Sequence, residues 1–506
     1  MTNPQTQIKS MLIVGGGSAG WMSAALLARV FKGRLAITLV ESSEVGTIGV
    51  GEASIPPLTL FNQALGIDEA EFLRRTQGSI KLGIEFQGWG DKHSCYMHAF
   101  GAMGKDLGLI PFYQLWLKDR AEKGASAQSH TDFWRYSFNS QAAKANRFAP
   151  MAQINGTPLQ GLTHAYHFDA GLYGEYLKDF STALGVKRIE GHIAAVNLEQ
   201  GHDEPRIASV TLKTGETLSA DFYIDCSGMR ALLIEEALGA GFDDYSALLP
   251  CNRAIAIPSE RTEPLRPYTQ SIAFEAGWRW RIPLNHRTGN GVVYSSEFMS
   301  DDEAETKLLE GLDGKALGEP RRIRFTTGRR KRQWAGNCVA IGLSSGFLEP
   351  LESTSIHLVQ SALMRLVRFF PATTDFEASR ESFNRDSKQE LEEIRDFILL
   401  HYVLNRRDEP FWRARTAVAL PESLASRMAL FTENGSLERH SDALFSELAW
   451  QQVLLGQGLS PKTYAPIADT VASAQIAEYL NNIARIQQQA LSALPLHSDF
   501  LATLPR

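Results

Sequence analysis

The stretch SMLIVGGGSAGWMSAALLARVF, residues 10–31, restricts the fold more than any other part of the chain. Residues 11–14 are a short apolar run of strand length. Gly15, Gly16, Gly17, Ser18, Ala19 and Gly20 then match the spacing G-x-G-x-x-G. A helix is predicted next, with Met22, Ala25, Leu26 and Val30 on one face. The apolar run AITLVES follows as a second strand and contains Glu41. Strand, glycine turn, helix, strand and acid, in that order, make the first half of a dinucleotide-binding α/β fold. Gly15 permits the tight turn, Gly17 lets the backbone approach a pyrophosphate, and Gly20 lets helix and strand pack closely. The pyrophosphate would sit on the free N–H groups of the helix N-terminus. Glu41 stands where an acid accepts hydrogen bonds from a ribose.

Composition narrows the partners. The chain has 506 residues, 44% of them hydrophobic and 21% charged, with a net charge of −6. That is a globular composition large enough for two or three domains, and it gives no footing for nucleic acid or an anionic membrane surface. The basic run from Arg321 to Arg332 reads as a solvated face. Cys95, Cys226, Cys251 and Cys338 show no C-x-x-C spacing and read as reduced thiols of a cytoplasmic protein. The polar start MTNPQTQIKS carries no signal-peptide pattern, and no apolar run is long enough to span a membrane. His164 and His167 in HAYH lack a third ligand nearby, so no metal site is expected.

Two later segments favour FAD over NAD. ADFYIDCSGMR is an apolar strand that reaches Asp225 and a small-residue turn. GNCVAIGLSSGFLEPLESTSIHLVQSALMRLV is another strand, a small-residue loop and a long amphipathic helix. Both resemble the distal FAD-contacting segments of flavoprotein monooxygenases, although Asn337 stands where that family usually carries an acid. Neither GAMGKDLG nor GLDGKALG forms a second dinucleotide fingerprint, so reduced flavin is expected from a separate NAD(P)H-dependent flavin reductase.

GSIKLGIEFQGW, residues 78–89, places Lys81 in an otherwise apolar strand. By itself this reads as a lysine that buries its stem and leaves its ammonium in water. Three further stretches change that reading: GVGEASIPP, GWRWRIPL with its W-x-W-x-I-P pattern, and EPLESTSIHL. Together with Trp21 after the glycine loop and the strand lysine, they resemble the flavin-dependent halogenases of the tryptophan halogenase family. The likeness runs from the glycine loop to HYVLNRRDEPFW, past residue 410.

The resemblance implies a fold, a chemistry and a set of roles. The fold is α/β, an FAD-binding Rossmann-like monooxygenase/halogenase fold with an interleaved substrate part and a helical C-terminal region. The chemistry starts from FADH2 and O2, which form a flavin hydroperoxide that bromide or chloride attacks to give hypohalous acid. That acid travels through a tunnel to Lys81, which hydrogen-bonds it or forms a haloamine, and an electron-rich aromatic carbon takes the halogen. Glu352 is implied as the second catalytic group, stabilising the cationic ring or taking its proton. The residues read alone make Glu352 a carboxylate favoured by a helix N-terminus. Thr354 and Ser355 are implied to bind halide through backbone N–H groups, with Ser355 replacing a glycine of the best-known tryptophan enzymes. Thr47, Gly49, Glu52, Ala53, Val196, Asp225, Gly342, Leu343 and Ile356 join the glycine loop as implied flavin contacts. Trp278 and Trp280 share one strand face. They fit either a wall between substrate and flavin or ordinary core packing.

The expected organisation is an FAD module over residues 9–375, with core segments 9–60, 160–235 and 320–370. Substrate-side insertions cover 61–159 and 236–319, and a mainly helical region covers 376–506. In the tryptophan-specific members a late lid holds the amino-acid end of the substrate. Here Trp450-Gln451-Gln452 replaces its tyrosine pair, and Phe445 and Glu447 cannot be aligned to the clamp. Paired partners for an ammonium and a carboxylate are therefore not assembled. Indole or an indole-containing compound is the expected substrate, and a homodimer is the default assembly. Two alternatives remain open from the residues alone, a flavin-dependent aromatic hydroxylase and a non-catalytic flavin-binding protein.

Overall fold

In the computed structural model, which describes residues 7–43, 51–124, 132–199, 204–371, 373, 376–438 and 443–504, the chain divides into two interleaved units. The first comprises residues 1–78, 168–252 and 324–392, and the second comprises 79–167, 253–323 and 393–506.

The first unit is built on a six-stranded sheet. Its order is Lys187–Glu190, Ala36–Glu41, Ser10–Val14, Phe222–Asp225, Cys338–Ala340 and Trp334–Ala335. The first five strands run parallel and the last antiparallel. A parallel strand covered on both faces needs a continuous apolar run, and Met11, Leu12, Ile13 and Val14 are all buried. Asn337, the departure from the monooxygenase pattern, has a structural task. Its side chain accepts from Ile207 N–H at 2.8 Å and donates to Ile207 C=O at 2.9 Å, fastening an antiparallel three-stranded sheet to the strand at Cys338. The basic run is not a solvated face throughout. Arg329 and Arg330 are buried and form ion pairs with Asp243 at 2.5 Å and Glu235 at 2.9 Å.

The helix Ser355–Arg368 is fastened through Glu390 of the helix Glu377–Val403. Glu390 accepts from Ser361 at 2.9 Å and Arg365 at 2.8 Å and meets His357 Nε2 at 3.1 Å. Burial pushes the Glu390 carboxyl up, but the hydrogen bonds and charges of His357 and Arg365 outweigh it and leave the pKa at about 2.

The second unit holds a seven-stranded sheet in the order Arg321–Arg324, Arg253–Glu260, Arg287–Tyr294, Gly277–Pro283, Thr269–Phe274, Gly83–Gln87 and Cys95–Ala99. Thr269–Phe274 runs parallel to Gly83–Gln87 and antiparallel to Gly277–Pro283. Trp89 is a hub of its core, with ring centroids 5.3 Å from Tyr402, 5.3 Å from Trp412 and 6.3 Å from Trp278. The short strand Ser79–Lys81 pairs antiparallel with Ala165–Asp169.

The C-terminal segment of this unit is tied down by its backbone. His497 N–H donates to Asn146 C=O at 2.8 Å, and Phe148 N–H donates to Pro495 C=O at 3.2 Å. The His497 ring is fully buried. Its pKa is lowered to about 4, chiefly by burial, with the nearby charge of Arg261 acting in the same direction while the Leu265 carbonyl and Glu263 oppose. His167 is likewise held well below its ordinary value, first by burial and then by Lys81 and His497.

These groups predict an acid-labile fold. The unfolded chain protonates a histidine near pH 6.5, whereas His497 in the folded chain resists until about 4. Stability is therefore intact above about pH 6.5 and falls as pH drops toward 4, by ~3 kcal/mol from His497 alone. Glu390 adds a second loss as pH falls from about 4.5 toward about 2. Denaturant unfolding between pH 8 and pH 4 should show this slope, and His497→Gln should make it shallower. A flat profile would contradict it.

Candidate active site

Three segments of the first unit converge at the carboxyl ends of its parallel strands, where α/β sheets bind ligands. The glycine loop turns at Gly15, whose φ is +113° and whose missing side chain leaves room for the carbonyl of Cys226. A Cβ on Gly20 would fall 1.8 Å from Gly15 O, so the helix packs on its own entry turn only as glycine. The turn Gly342–Ser344 approaches the loop from the other side. Gly342 has φ +76°, and a Cβ there would fall 2.7 Å from the Ala19 Cβ.

The fit to a dinucleotide rests on Gly17. A Cβ there would meet nothing within 4 Å, and the helix Ser18–Phe31 that follows has no side-chain cap on its N-terminal N–H groups. Bare backbone donors facing open space are what a pyrophosphate requires. Gly16 is different: its Cβ would fall 1.5 Å from Glu41 Oε2. Glu41 lies against the turn, accepting from Trp21 Nε1 at 3.3 Å and from Arg188 Nε at 2.5 Å. Arg188 was not legible as part of this site, because its strand enters the sheet beside Glu41 from 147 residues away.

The other flavin-contact expectations are distributed unevenly. The Asp225 carboxylate is buried and accepts from Ser227 N–H, Ser227 Oγ, Leu233 N–H and Ile234 N–H at 2.6–2.9 Å. It shapes the turn beside Gly15, and burial raises its pKa against those hydrogen bonds. Leu343 is half-buried on the turn next to Gly342. Glu52 is half-buried and Ala53 buried on the short strand Gly51–Ala53. Val196 packs against the apolar cluster of Leu12, Val14 and Val40. Thr47 and Gly49 lie outside the described residues.

Glu352 ends the short turn Pro350–Glu352 and is 1% exposed. Ser353 takes a left-handed conformation at φ +59° and turns the chain into Thr354, the residue before the helix Ser355–Arg368. The Thr354 hydroxyl does not cap that helix; its Oγ1 is buried without a hydrogen-bond partner. Ser355 is half-buried and Ile356 is buried in the first turn. An uncapped helix start beside a buried hydroxyl suits a small anion.

In the second unit Lys81 is 0% exposed, so it does not snorkel. Its Nζ lies 5.4 Å from the centroid of the Phe100 ring. The residue directly across the strand pair is Ala165, whose small side chain leaves the lysine room. Ser79 shares the Lys81 face of the strand and faces His167. Its hydroxyl donates to Pro283 C=O at 2.5 Å, so at the 3.1 Å contact with His167 Nδ1 the imidazole is the donor. His167 Nε2 then accepts from Thr269 Oγ1 at 2.9 Å. A neutral histidine behind the lysine is thereby linked to the end of the W-x-W-x-I-P strand.

Both strand tryptophans are buried, with ring centroids 6.1 Å apart. Trp278 belongs to the aromatic core around Trp89, and the Trp280 ring occupies the space that a side chain on Gly291 would need. In the late region, Trp450 is buried between Phe397, 4.8 Å away, and the Arg427 guanidinium, 4.2 Å over its ring. Gln452 accepts from Ala99 N–H at 3.0 Å and donates to Ala99 C=O at 3.1 Å. Phe445 stacks on Phe397 at 3.7 Å, and Glu447 opens the helix Glu447–Gly456.

Among the described residues no helix is long and apolar enough to cross a membrane. Comparison with known proteins gives one answer. Residues 10–473 match the tryptophan halogenase family. The tryptophan 7-halogenase RebH of Lentzea aerocolonigenes is 34% identical, with 98% of each chain covered. The structure of a flavin-dependent halogenase from Xanthomonas campestris superposes with a TM-score of 0.93 at 42% identity, covering 98% of each chain. That of BrvH, a flavin-dependent halogenase from Brevundimonas sp. BAL3, gives 0.93 at 40% identity, covering 98% of this chain and 100% of the other. The glycine loop, the buried strand lysine and the W-x-W-x-I-P strand thus sit in a chain that belongs to the tryptophan halogenase family and is a flavin-dependent halogenase.

Proposed function

We propose that this enzyme uses FADH2, O2 and bromide or chloride to halogenate an electron-rich carbon of indole or of an indole-containing compound without a free amino-acid tail. The observation that carries the reading is the full burial of Lys81 on its strand. Bound FADH2, with O2 and halide, supplies hypohalous acid. Every other step belongs to the chain. The glycine loop holds the pyrophosphate through Gly17 and the uncapped N–H groups behind it. Backbone N–H groups at Thr354 and Ser355 hold the halide, and the serine side chain shapes its pocket. Lys81 donates a hydrogen bond to the hypohalous oxygen, so that the oxygen–halogen bond breaks with its electron pair on oxygen. The ring carbon supplies the pair that bonds the halogen. Lys81 passes a proton to the departing hydroxide, which leaves as water, and Glu352 takes the displaced ring proton; exchange with solvent then restores both groups. Walls around the lysine keep the oxidised halogen from methionine and cysteine side chains elsewhere.

The substrate assignment follows from Trp450 and Gln452. A zwitterionic amino acid needs paired partners for both charged groups. Trp450 is committed to core packing and Gln452 to the Ala99 backbone. Reduced flavin comes from a separate NAD(P)H-dependent reductase. Four free cysteines suit a reducing compartment, and we place the enzyme in the cytoplasm.

Two outcomes are expected. With FAD, NADH, a flavin reductase, bromide and O2, mass spectrometry should show bromoindole in excess over bromotryptophan when both rings are offered. Lys81→Ala should abolish it and Glu352→Gln should lower the rate by about 10²-fold; an oxygenated product, or bromination that survives Lys81→Ala, would count against the reading. Separately, Gly17→Ala should leave thermal stability unchanged, since its methyl meets open space, yet weaken FAD binding about tenfold or more. Gly20→Ala should instead lose stability. Equal FAD affinity in Gly17→Ala and the parent, read by flavin fluorescence, would remove the loop from the site.

A further inference from the structure

The strand that carries Lys81 has an unusual outer edge. Its inner edge pairs with Ala165–Asp169, in the register Ser79 to His167, Ile80 to Tyr166 and Lys81 to Ala165. Successive residues of a strand direct their backbone groups to opposite sides. The Ile80 N–H therefore points away from that partner and into the protein interior, since Ile80 is fully buried. One residue past the lysine the outer edge is satisfied normally: Leu82 N–H donates to Pro267 C=O at 2.7 Å. At Ile80 no backbone carbonyl fills that place. The acceptor is His497 Nε2, at 3.1 Å, from a residue 417 positions later in the chain. The other ring nitrogen, Nδ1, donates to Leu265 C=O at 3.1 Å. The imidazole thus spans the gap between the lysine strand and the segment 265–267, which braces Leu82 directly.

We propose that His497 is a positioning residue for halogenation. Its neutral ring, through Ile80, fixes the backbone from which Lys81 reaches the oxidised halogen. This rests on the reading of Lys81 given above. His497 is itself held in place: its N–H bonds Asn146 C=O, Leu496 bridges Arg147, and the Phe148 and Phe500 rings meet at 4.9 Å. The geometry admits one tautomer, proton on Nδ1 and lone pair on Nε2. A protonated ring has no lone pair for Ile80. Neutrality is favoured by burial and by Arg261 and opposed by Glu263 and the Leu265 carbonyl, with neutral His167 and cationic Lys81 near the same strand. Ser79, His167 and Thr269 secure the lysine-bearing face of the strand. His497 secures its edge.

The test separates an acceptor from a space-filler. His497→Phe keeps a ring and loses the acceptor; His497→Gln places an amide oxygen near the Nε2 position. With indole and bromide, His497→Phe should lower kcat about tenfold or more, because small misplacements of a reacting group are costly, and should leave KM and FAD affinity within twofold. Hydrogen exchange of the peptide spanning Ile80 should accelerate in the same variant, and His497→Gln should restore both. If His497→Phe does not fold, His497→Asn, whose amide is too short to reach Ile80, takes its place with the same expectation. Lys81→Ala is run alongside. If it brominates indole as the parent does, the Lys81 reading has failed, and His497 with it. If it is inactive while the acceptor-less variants match the parent in kcat and in Ile80 exchange, His497 is overturned and the Lys81 reading stands.

Discussion

An amine buried beyond the reach of water is costly unless the fold around it is built to hold it. In the second unit much of the local structure answers to that constraint at Lys81. The facing strand offers Ala165, which leaves space, and the Phe100 ring offers its face to the ammonium. His167 is kept neutral, in part by the lysine's own charge, so no second cation sits behind the first. Ser79 and Thr269 set the tautomer of that histidine, and Pro283 sets Ser79. Through Ser79 and His167 these contacts tie the strand pair to the strands Gly277–Pro283 and Thr269–Phe274 of the seven-stranded sheet.

The first unit meets a different constraint, which is to keep backbone donors bare. Side chains near the glycine loop are turned to other tasks. Glu41 packs under Gly16, Asp225 caps the turn at Ser227 and Leu233, and Gly342 presses on Ala19. What remains uncovered is the N-terminal turn of one helix, with open space in front of Gly17. The helix Ser355–Arg368 repeats the theme on a smaller scale. Its preceding threonine does not cap it, and Glu390 holds its body. Anionic ligands suit both places for the same reason, oriented N–H groups that no side chain caps.

The fold class was legible because its signals are local. An apolar run, a glycine spacing and an acid lie within one stretch of chain, and parallel strands buried on both faces announce themselves by composition. Lys81 stood out because a cation interrupts an apolar strand. Its supports did not stand out. Ser79 and His167 are 88 residues apart, His167 and Thr269 102, and Ile80 and His497 417. Periodicity carries no information across such distances, and a lone histidine near a chain end looks like any surface residue. Charge runs misled for a related reason: Arg329 and Arg330 find Asp243 and Glu235 only after the sheet forms. The two strand tryptophans were read correctly as sharing a face, but which neighbours they meet depends on Trp89 and Gly291, on other strands.

If Lys81 acts as proposed, hypohalous acid stays inside the protein until the ring takes its halogen beside that lysine. The most direct test offers it an escape. Bromination of indole by the unmodified enzyme is run with rising concentrations of free methionine, which consumes hypobromous acid in solution. Bromoindole and methionine sulfoxide are then counted together. A halogen held at Lys81 gives a bromoindole yield that stays constant up to a large excess of methionine, with little sulfoxide formed. A yield that falls in proportion to added methionine would mean that the halogen reaches the ring through bulk solvent, and that the buried lysine does not convey it.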